Sequence, residues 1–134
     1  MKYNLSNIAT WPHFDKLVNL AESATKALAV YYKKNNFTFA EPGQIRIASI
    51  GGRYIKLATF EDRKRAGNWE ASSVYCFVDL ENGNILKGSW KAPVANGVRG
   101  NLNDADILKK VTTYGVGYLR GGDVGTVDWY LKNA

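Results

Sequence analysis

The sequence predicts an α+β fold in which one long N-terminal helix packs on a twisted antiparallel sheet of four to six strands, with a short second helix and a C-terminal strand. Three observations carry this. Apolar residues recur at helical spacing between Pro12 and Asn35, and β-rich runs separated by glycine and asparagine turns fill residues 44–90. The third is size: 134 residues are enough to bury a core without metal or disulfide support. Residues 1–134 read as a single domain, with no internal repeat and no linker.

In the first element, Phe14, Leu17, Val18, Ala21, Ala24, Leu28, Tyr31 and Tyr32 follow one another at three- and four-residue steps. Lys16, Asn19, Glu22, Lys26 and Lys33 stand between them, the pattern of an amphipathic helix with one face on a sheet. Thr10 can cap its first amides, Pro12 suits a first turn, and Asn35-Asn36 is a natural stop. Phe37-Thr38-Phe39 reads as a short strand ended by Glu41-Pro42-Gly43.

Residues 44–50 and 53–60 flank Gly51-Gly52, a hairpin signal because both glycines are free to take positive φ. Closure there places Arg46, Ala48, Ile50, Arg53, Ile55 and Leu57 on one face. Ile45, Ile47, Ser49, Tyr54, Lys56, Ala58 and Phe60 fall on the other. Neither set is cleanly polar, so whichever face covers the core, the other shows a cation beside apolar or aromatic surface. A loop with Arg63, Lys64, Arg65, Gly67 and Trp69 follows. Residues 72–80 then read as a strand with Val74, Cys76, Val78 and Leu80 on one side and Ser73, Tyr75, Phe77 and Asp79 on the other.

The turn Glu81-Asn82-Gly83-Asn84 returns the chain through residues 85–90, making four consecutive strands a meander. From residue 91 to 102, Pro93, Gly97 and Gly100 interrupt any period, so the segment reads as a long irregular loop of the functional kind. Asn103-Asp104-Ala105-Asp106 then opens a short helix through Lys110, acidic first and basic last. Residues 112–120 are glycine-punctuated, Gly121-Gly122-Asp123 turns the chain, and residues 124–131 finish it with Trp129 and Tyr130.

Charge and rings narrow the function. The net charge is +6, and the whole excess lies in residues 1–66, where 11 Lys/Arg face 5 Asp/Glu; residues 67–134 hold 7 of each. Such a field attracts anions. Candidate contacts are the cations Arg53, Lys56, Arg63, Lys64, Arg65, Lys87, Lys91 and Arg99, interleaved with the rings Tyr54, Trp69, Tyr75 and Trp90. Cations neutralise phosphates while flat rings stack on unpaired bases, so single-stranded nucleic acid is the leading partner.

Other chemistries find less support. One His and one Cys cannot make a four-ligand zinc site. Gly115-Val116-Gly117 and Gly121-Gly122 lack the lysine and hydroxyl of a phosphate-binding loop. Asp104 and Asp106 with Asp79 or Glu81 form the one carboxylate set that a metal-dependent nuclease would use, and helix capping explains the first two more simply. Cys76, inside Val74-Tyr75-Cys76-Phe77-Val78, reads as a packed thiol, and His13 lies far from it in sequence. The reading is therefore a non-catalytic binder with no cofactor and no metal. The polar N-terminus lacks a signal-type apolar core, and no stretch approaches the roughly 20 apolar residues of a membrane span. The expected setting is a reducing cytoplasm, away from membranes.

The segment from Val74 to Lys87, with Ser89-Trp90-Lys91-Ala92-Pro93 and Val98-Arg99-Gly100-Asn101, resembles small bacteriophage-encoded proteins with no established activity; the likeness extends faintly to Tyr114-Gly115-Val116. The resemblance implies a viral origin and a host bacterial cytoplasm, and it transfers no catalytic residue. Strand binding in replication, a minor virion role and interference with host defence are all open to such a protein. An alternative function is thus a phage structural or protein-interaction module that contacts a virion or host factor with no nucleic-acid role. A homo-oligomer is compatible with either function.

Overall fold

A computed structural model describes residues 2–37, 41–63, 66–116 and 124–134. Helix α1 spans Phe14–Lys34, and five strands follow in a meander: β1 Gln44–Gly51, β2 Tyr54–Glu61, β3 Glu70–Asp79, β4 Asn84–Gly88 and β5 Pro93–Asn101. They pair antiparallel in the order β1-β2-β3-β4-β5. A two-stranded ribbon of β6 (Val111–Thr112) and β7 (Gly115–Val116) follows, and helix α2, Val127–Lys132, closes the chain. The α+β class and the long helix on an antiparallel sheet are as the sequence predicts.

The helix forms where its apolar period says it should. Leu17, Leu20, Ala24, Ala27 and Leu28 are buried along it, against Ile45, Ile55, Leu57, Cys76, Val78 and Ile85 of the sheet. Each fully buried leucine or isoleucine here contributes on the order of 1.5–3 kcal/mol. Thr25 joins the two layers, donating to the Ala21 carbonyl at 2.8 Å and accepting the Ile45 amide at 2.9 Å. Trp11 anchors the chain ahead of the helix, its indole N–H donating to the Leu80 carbonyl at 2.9 Å. Thr10 ends a short 3-10 turn, Ile8–Thr10, and His13 occupies the N-cap without a side-chain cap bond.

Several elements differ from the sequence reading. The first hairpin closes on Gly52-Arg53, one residue later than expected, with Gly51 opposite Tyr54. Gly52 takes φ +58° as the first central residue of such a turn, where L side chains are strained. The segment expected to be an irregular loop is strand β5; Pro93 and two glycines are tolerated because the strand is an edge and its pairing with β4 is interrupted twice. Between Asp104 and Lys110 the chain makes only a 3-10 turn, Ile107–Lys109. The second helix lies instead at Val127–Lys132, where a C-terminal strand was expected. Thr126 caps it by accepting the Trp129 amide at 3.0 Å, and Asp128 and Lys132 form an i,i+4 pair at 3.1 Å. The strand expected at 37–39 and the turn at 121–123 fall outside the described residues, apart from Phe37.

Cys76 is buried at the centre of the sheet, and burial pushes its thiol well above the ordinary range. The expected result with iodoacetamide is no alkylation of the folded protein at neutral pH and stoichiometric alkylation in denaturant. Fast labelling of the native protein, read by intact mass, would contradict this packing.

Candidate nucleic-acid interface

Helix α1, with α2 packed against it, covers one face of the sheet; the site is built on the other, and a bulge decides what stands there. Ile47 pairs with Leu57 and Ser49 with Lys56, so Ala48 is the extra residue. One inserted residue reverses every side chain beyond it. Ile45 and Ile47 therefore join Ile50, Ile55 and Leu57 on the core face. Arg46, read from the sequence as sharing a face with Ile55 and Leu57, stands outward opposite Ala58. The outer face then carries Arg46, Tyr54, Lys56, Ala58 and Phe60 from the first hairpin, with Phe77 and Leu86 beside them.

These residues organise as cation and ring pairs above a thin apolar layer. Ala58, Phe77 and Leu86 are buried, although they lie apart from the main core cluster. Phe77 closes over Gly88, where an added Cβ would lie 2.2 Å from the ring. Above them the Arg46 guanidinium sits 5.5 Å from the Phe60 centroid and 5.0 Å from the Trp69 centroid, while Arg46 Nε donates to Gln44 Oε1 at 2.9 Å. Lys56 Nζ lies 3.8 Å from the Trp90 centroid and donates to the Trp90 carbonyl. Tyr54 meets Phe77 edge to face at 6.4 Å. Contacts of this kind hold flat rings in place, which lowers the entropy lost when a base stacks on them.

Of the expected contacts, Tyr54, Lys56, Trp69 and Trp90 come together on this face, and Trp90 is 52% exposed. Lys91 is exposed in the connection next to Trp90. Tyr75 does not belong. A second bulge, in β3 between Val74 and Cys76, turns it into the core, where it is 2% exposed and its hydroxyl donates to the Thr112 carbonyl at 2.6 Å. Its place beside Phe77 in the sequence pattern is thereby corrected. Gly115 marks how closely the ribbon approaches it: φ is +138°, and an added Cβ would meet the Tyr75 carbonyl oxygen at 2.6 Å.

Arg53 lies at the hairpin end and is held by Asp79, with Nε 3.0 and 2.9 Å from the two carboxylate oxygens and a terminal nitrogen at 2.7 Å. Glu81 stands 3.3 Å away. Its charge is thus matched within the fold, although its guanidinium lies 5.8 Å over Tyr54. Burial raises the Asp79 carboxyl, but the Arg53 hydrogen bonds, the Glu81 amide and Asn82 outweigh it, leaving Asp79 below the ordinary carboxylate range. Lys87 alternates with Leu86 and so is exposed on the opposite side of β4. Arg99 is half-buried and donates to the Asn96 and Val98 carbonyls at 3.2 and 3.3 Å, bracing the irregular part of β5. Arg63 is exposed, 3.4 Å from Glu61; Lys64 and Arg65 lie outside the described residues.

Two neighbouring features bound the interface. A cleft of about 410 Å³ beside Arg63 is lined by Glu61, Asp62 and Glu70, so among the described residues carboxylates outnumber cations there and phosphate is disfavoured. The carboxylates considered for a metal are separately engaged: Asp79 by Arg53, and Asp104 and Asp106 by Lys110 at 3.0 and 3.5 Å. Among the described residues no three His, Cys, Asp or Glu side chains gather as a metal set, and no helix is long and apolar enough to cross a membrane. The residues missed from sequence are Arg46 and Phe60. The signal that finds them is the demand that Ile45 and Ile47 share the face of Ile55 and Leu57, which an unbroken hairpin register cannot satisfy.

No curated protein and no solved structure matches this chain. A family model does match residues 6–116, the stretch holding α1, the whole five-stranded sheet and the β6–β7 ribbon. The chain belongs to that family, DUF7717, a family of unknown function.

Proposed function

We propose that the protein binds single-stranded nucleic acid on the outer face of its sheet, without catalysing a reaction on it. The single observation behind this reading is that Arg46, Lys56, Tyr54, Trp69 and Trp90 share the face that the helices leave uncovered. The rings supply sequence-tolerant stacking, and Arg46, Lys56 and Lys91 supply phosphate contacts. Sequence preference would be weak, since the sequence holds no base-reading motif of the familiar kinds. A replication-associated role in a phage-infected bacterium accords with the resemblance of the chain to phage-encoded proteins.

Fluorescence anisotropy with labelled oligo-dT, oligo-rU and duplex DNA over a salt series tests this. Expected are micromolar or tighter binding of the single strands, weaker duplex binding, and a log–log salt slope of about −0.7 per phosphate neutralised. Absence of binding at low salt would overturn the proposal. A protein-contact role is the second reading, favoured by the exposure of Trp90, Val94 and Val98 on or beside the edge strand β5; it becomes the leading one in that event.

A further inference from the structure

Away from the sheet's outer face, the C-terminal half of α1 and the β6–β7 turn enclose a small cavity of about 120 Å³, lined by Tyr31, Tyr32, Phe37, Tyr114, Glu61 and Leu28, with hydroxyl-bearing residues completing the wall. The nucleic-acid reading does not use it. Four of its described lining residues are aromatic: Tyr31, Tyr32, Phe37 and Tyr114. Tyr31 and Tyr32 meet at 6.2 Å and 73°, Tyr31 and Phe37 at 5.8 Å and 73°, and Tyr32 and Phe37 at 5.5 Å and 86°. Tyr114 adds a fourth plane, 5.3 Å and 82° from Tyr31. Rings in contact at near right angles stand to one another as the walls of a box.

The chemistry of the lining selects the guest. In a chain of net charge +6, the one charged side chain among the described lining residues is the Glu61 carboxylate. Ser72 donates to its Oε1 at 3.0 Å, and Arg63, itself highly exposed, stands 3.4 Å from Oε2. Anions would meet a carboxylate and the negative faces of the rings. An unmethylated ammonium is a compact, strongly hydrated charge, so it gives up more solvation on entering an aromatic-walled space. A methylated ammonium carries positive charge on an apolar surface, is weakly hydrated, and gains from each ring face it touches. Two of the phenols are held toward the neutral form: partial burial and a hydrogen bond with Tyr31 raise Tyr114, and partial burial and the Glu61 charge raise Tyr32.

We infer that this cavity is a binding site for a quaternary ammonium group, held by the faces of Tyr31, Tyr32, Phe37 and Tyr114 with Glu61 as its counter-charge. The group can arrive as a free small molecule of the choline type or as a trimethylated lysine side chain, and the volume accepts one such head. Tyr114 is 62% exposed on the β6–β7 turn and stands at the mouth, where it can be replaced without opening the core.

The test follows ring resonances by NMR during titration with tetramethylammonium, choline, a trimethyllysine peptide, and 3,3-dimethylbutanol, the neutral carbon isostere of choline. Expected are saturable shifts with the ammonium compounds and affinity for the isostere lower by about tenfold. Tyr114→Ala should weaken ammonium binding by a similar factor in a protein with an unchanged fold, and Glu61→Gln should weaken choline while leaving the isostere unaffected. Tighter binding of choline or of the peptide supports the site and identifies the source. Equal binding of choline and its isostere, insensitivity to Tyr114→Ala, or no saturable shift with any ammonium would overturn the inference. None of these outcomes depends on whether oligonucleotides bind.

Discussion

Replacing Trp90 and Lys56 together by alanine is expected to weaken oligo-dT binding by about 30-fold at low salt, the loss of one stacked base at roughly 2 kcal/mol. Lys56 lies over the Trp90 ring and donates to its carbonyl, so the two hold one exposed platform in place. Trp90→Ala alone should lower affinity at every salt concentration without changing the salt slope. Lys56→Ala should reduce the slope by about 0.7 and loosen the ring as well. Thermal unfolding should change little, because Trp90 stands half exposed in a connection. Tyr75→Phe is the contrast: it loses the bond to Thr112 at a cost of about 1 kcal/mol in stability, yet leaves oligonucleotide affinity unchanged because the ring is inside the core. Affinity changed by Tyr75→Phe and unchanged by Trp90→Ala would contradict the placement of the interface.

Asp79→Asn is expected to destabilise the fold by about 2 kcal/mol at neutral pH, read as a lower urea midpoint with an unchanged slope. The carboxylate is buried and accepts from both Arg53 and the Glu81 amide, joining the β1–β2 turn to the end of β3. The loss stays below that of a fully interior pair because the Arg53 side chain is 47% exposed and water takes part of its charge. The pH dependence follows from the direction of the shift. A carboxyl whose folded-state pKa is depressed contributes stability that is fully present above its unfolded value and is lost as pH falls through the folded one. The gap between wild type and Asp79→Asn should therefore be constant from neutral pH down to about pH 5 and close below the ordinary aspartate value of about 4. A gap that widens toward acid would refute the sign.

The helix and the two glycine or asparagine hairpins were legible because each rests on a local rule: three- and four-residue apolar spacing for α1, residues tolerant of positive φ for the turns. What escaped the sequence is non-local. The bulges at Ala48 and Tyr75 carry no local glycine or asparagine mark, and the first shows only through the pairing that Ile45 and Ile47 demand, yet they decide that Arg46 faces outward and Tyr75 inward. Strand β5 was hidden by Pro93, Gly97 and Gly100, residues that break a central strand but not an edge. At Gly97 an added Cβ would lie 2.6 Å from the Val94 carbonyl, and the neighbouring Asn96 takes φ +56°, so the strand folds tightly on itself there. Helix α2 is six residues long, too short to show a period, and its adjacent Trp129 and Tyr130 resemble strand residues; the Thr126 cap and the acidic-to-basic order were the usable signal. Of the candidate site, the ring and cation types were readable, whereas their sorting onto one face depended on a register that composition does not encode.

The most direct test is where a bound strand touches the protein. Ultraviolet cross-linking of the protein to oligo-dT, with the adducts mapped by mass spectrometry, should place them on peptides containing Trp90, Trp69 and Tyr54, the rings of the uncovered sheet face. Adducts confined to α1 or α2, on the opposite side of the sheet, would contradict the account.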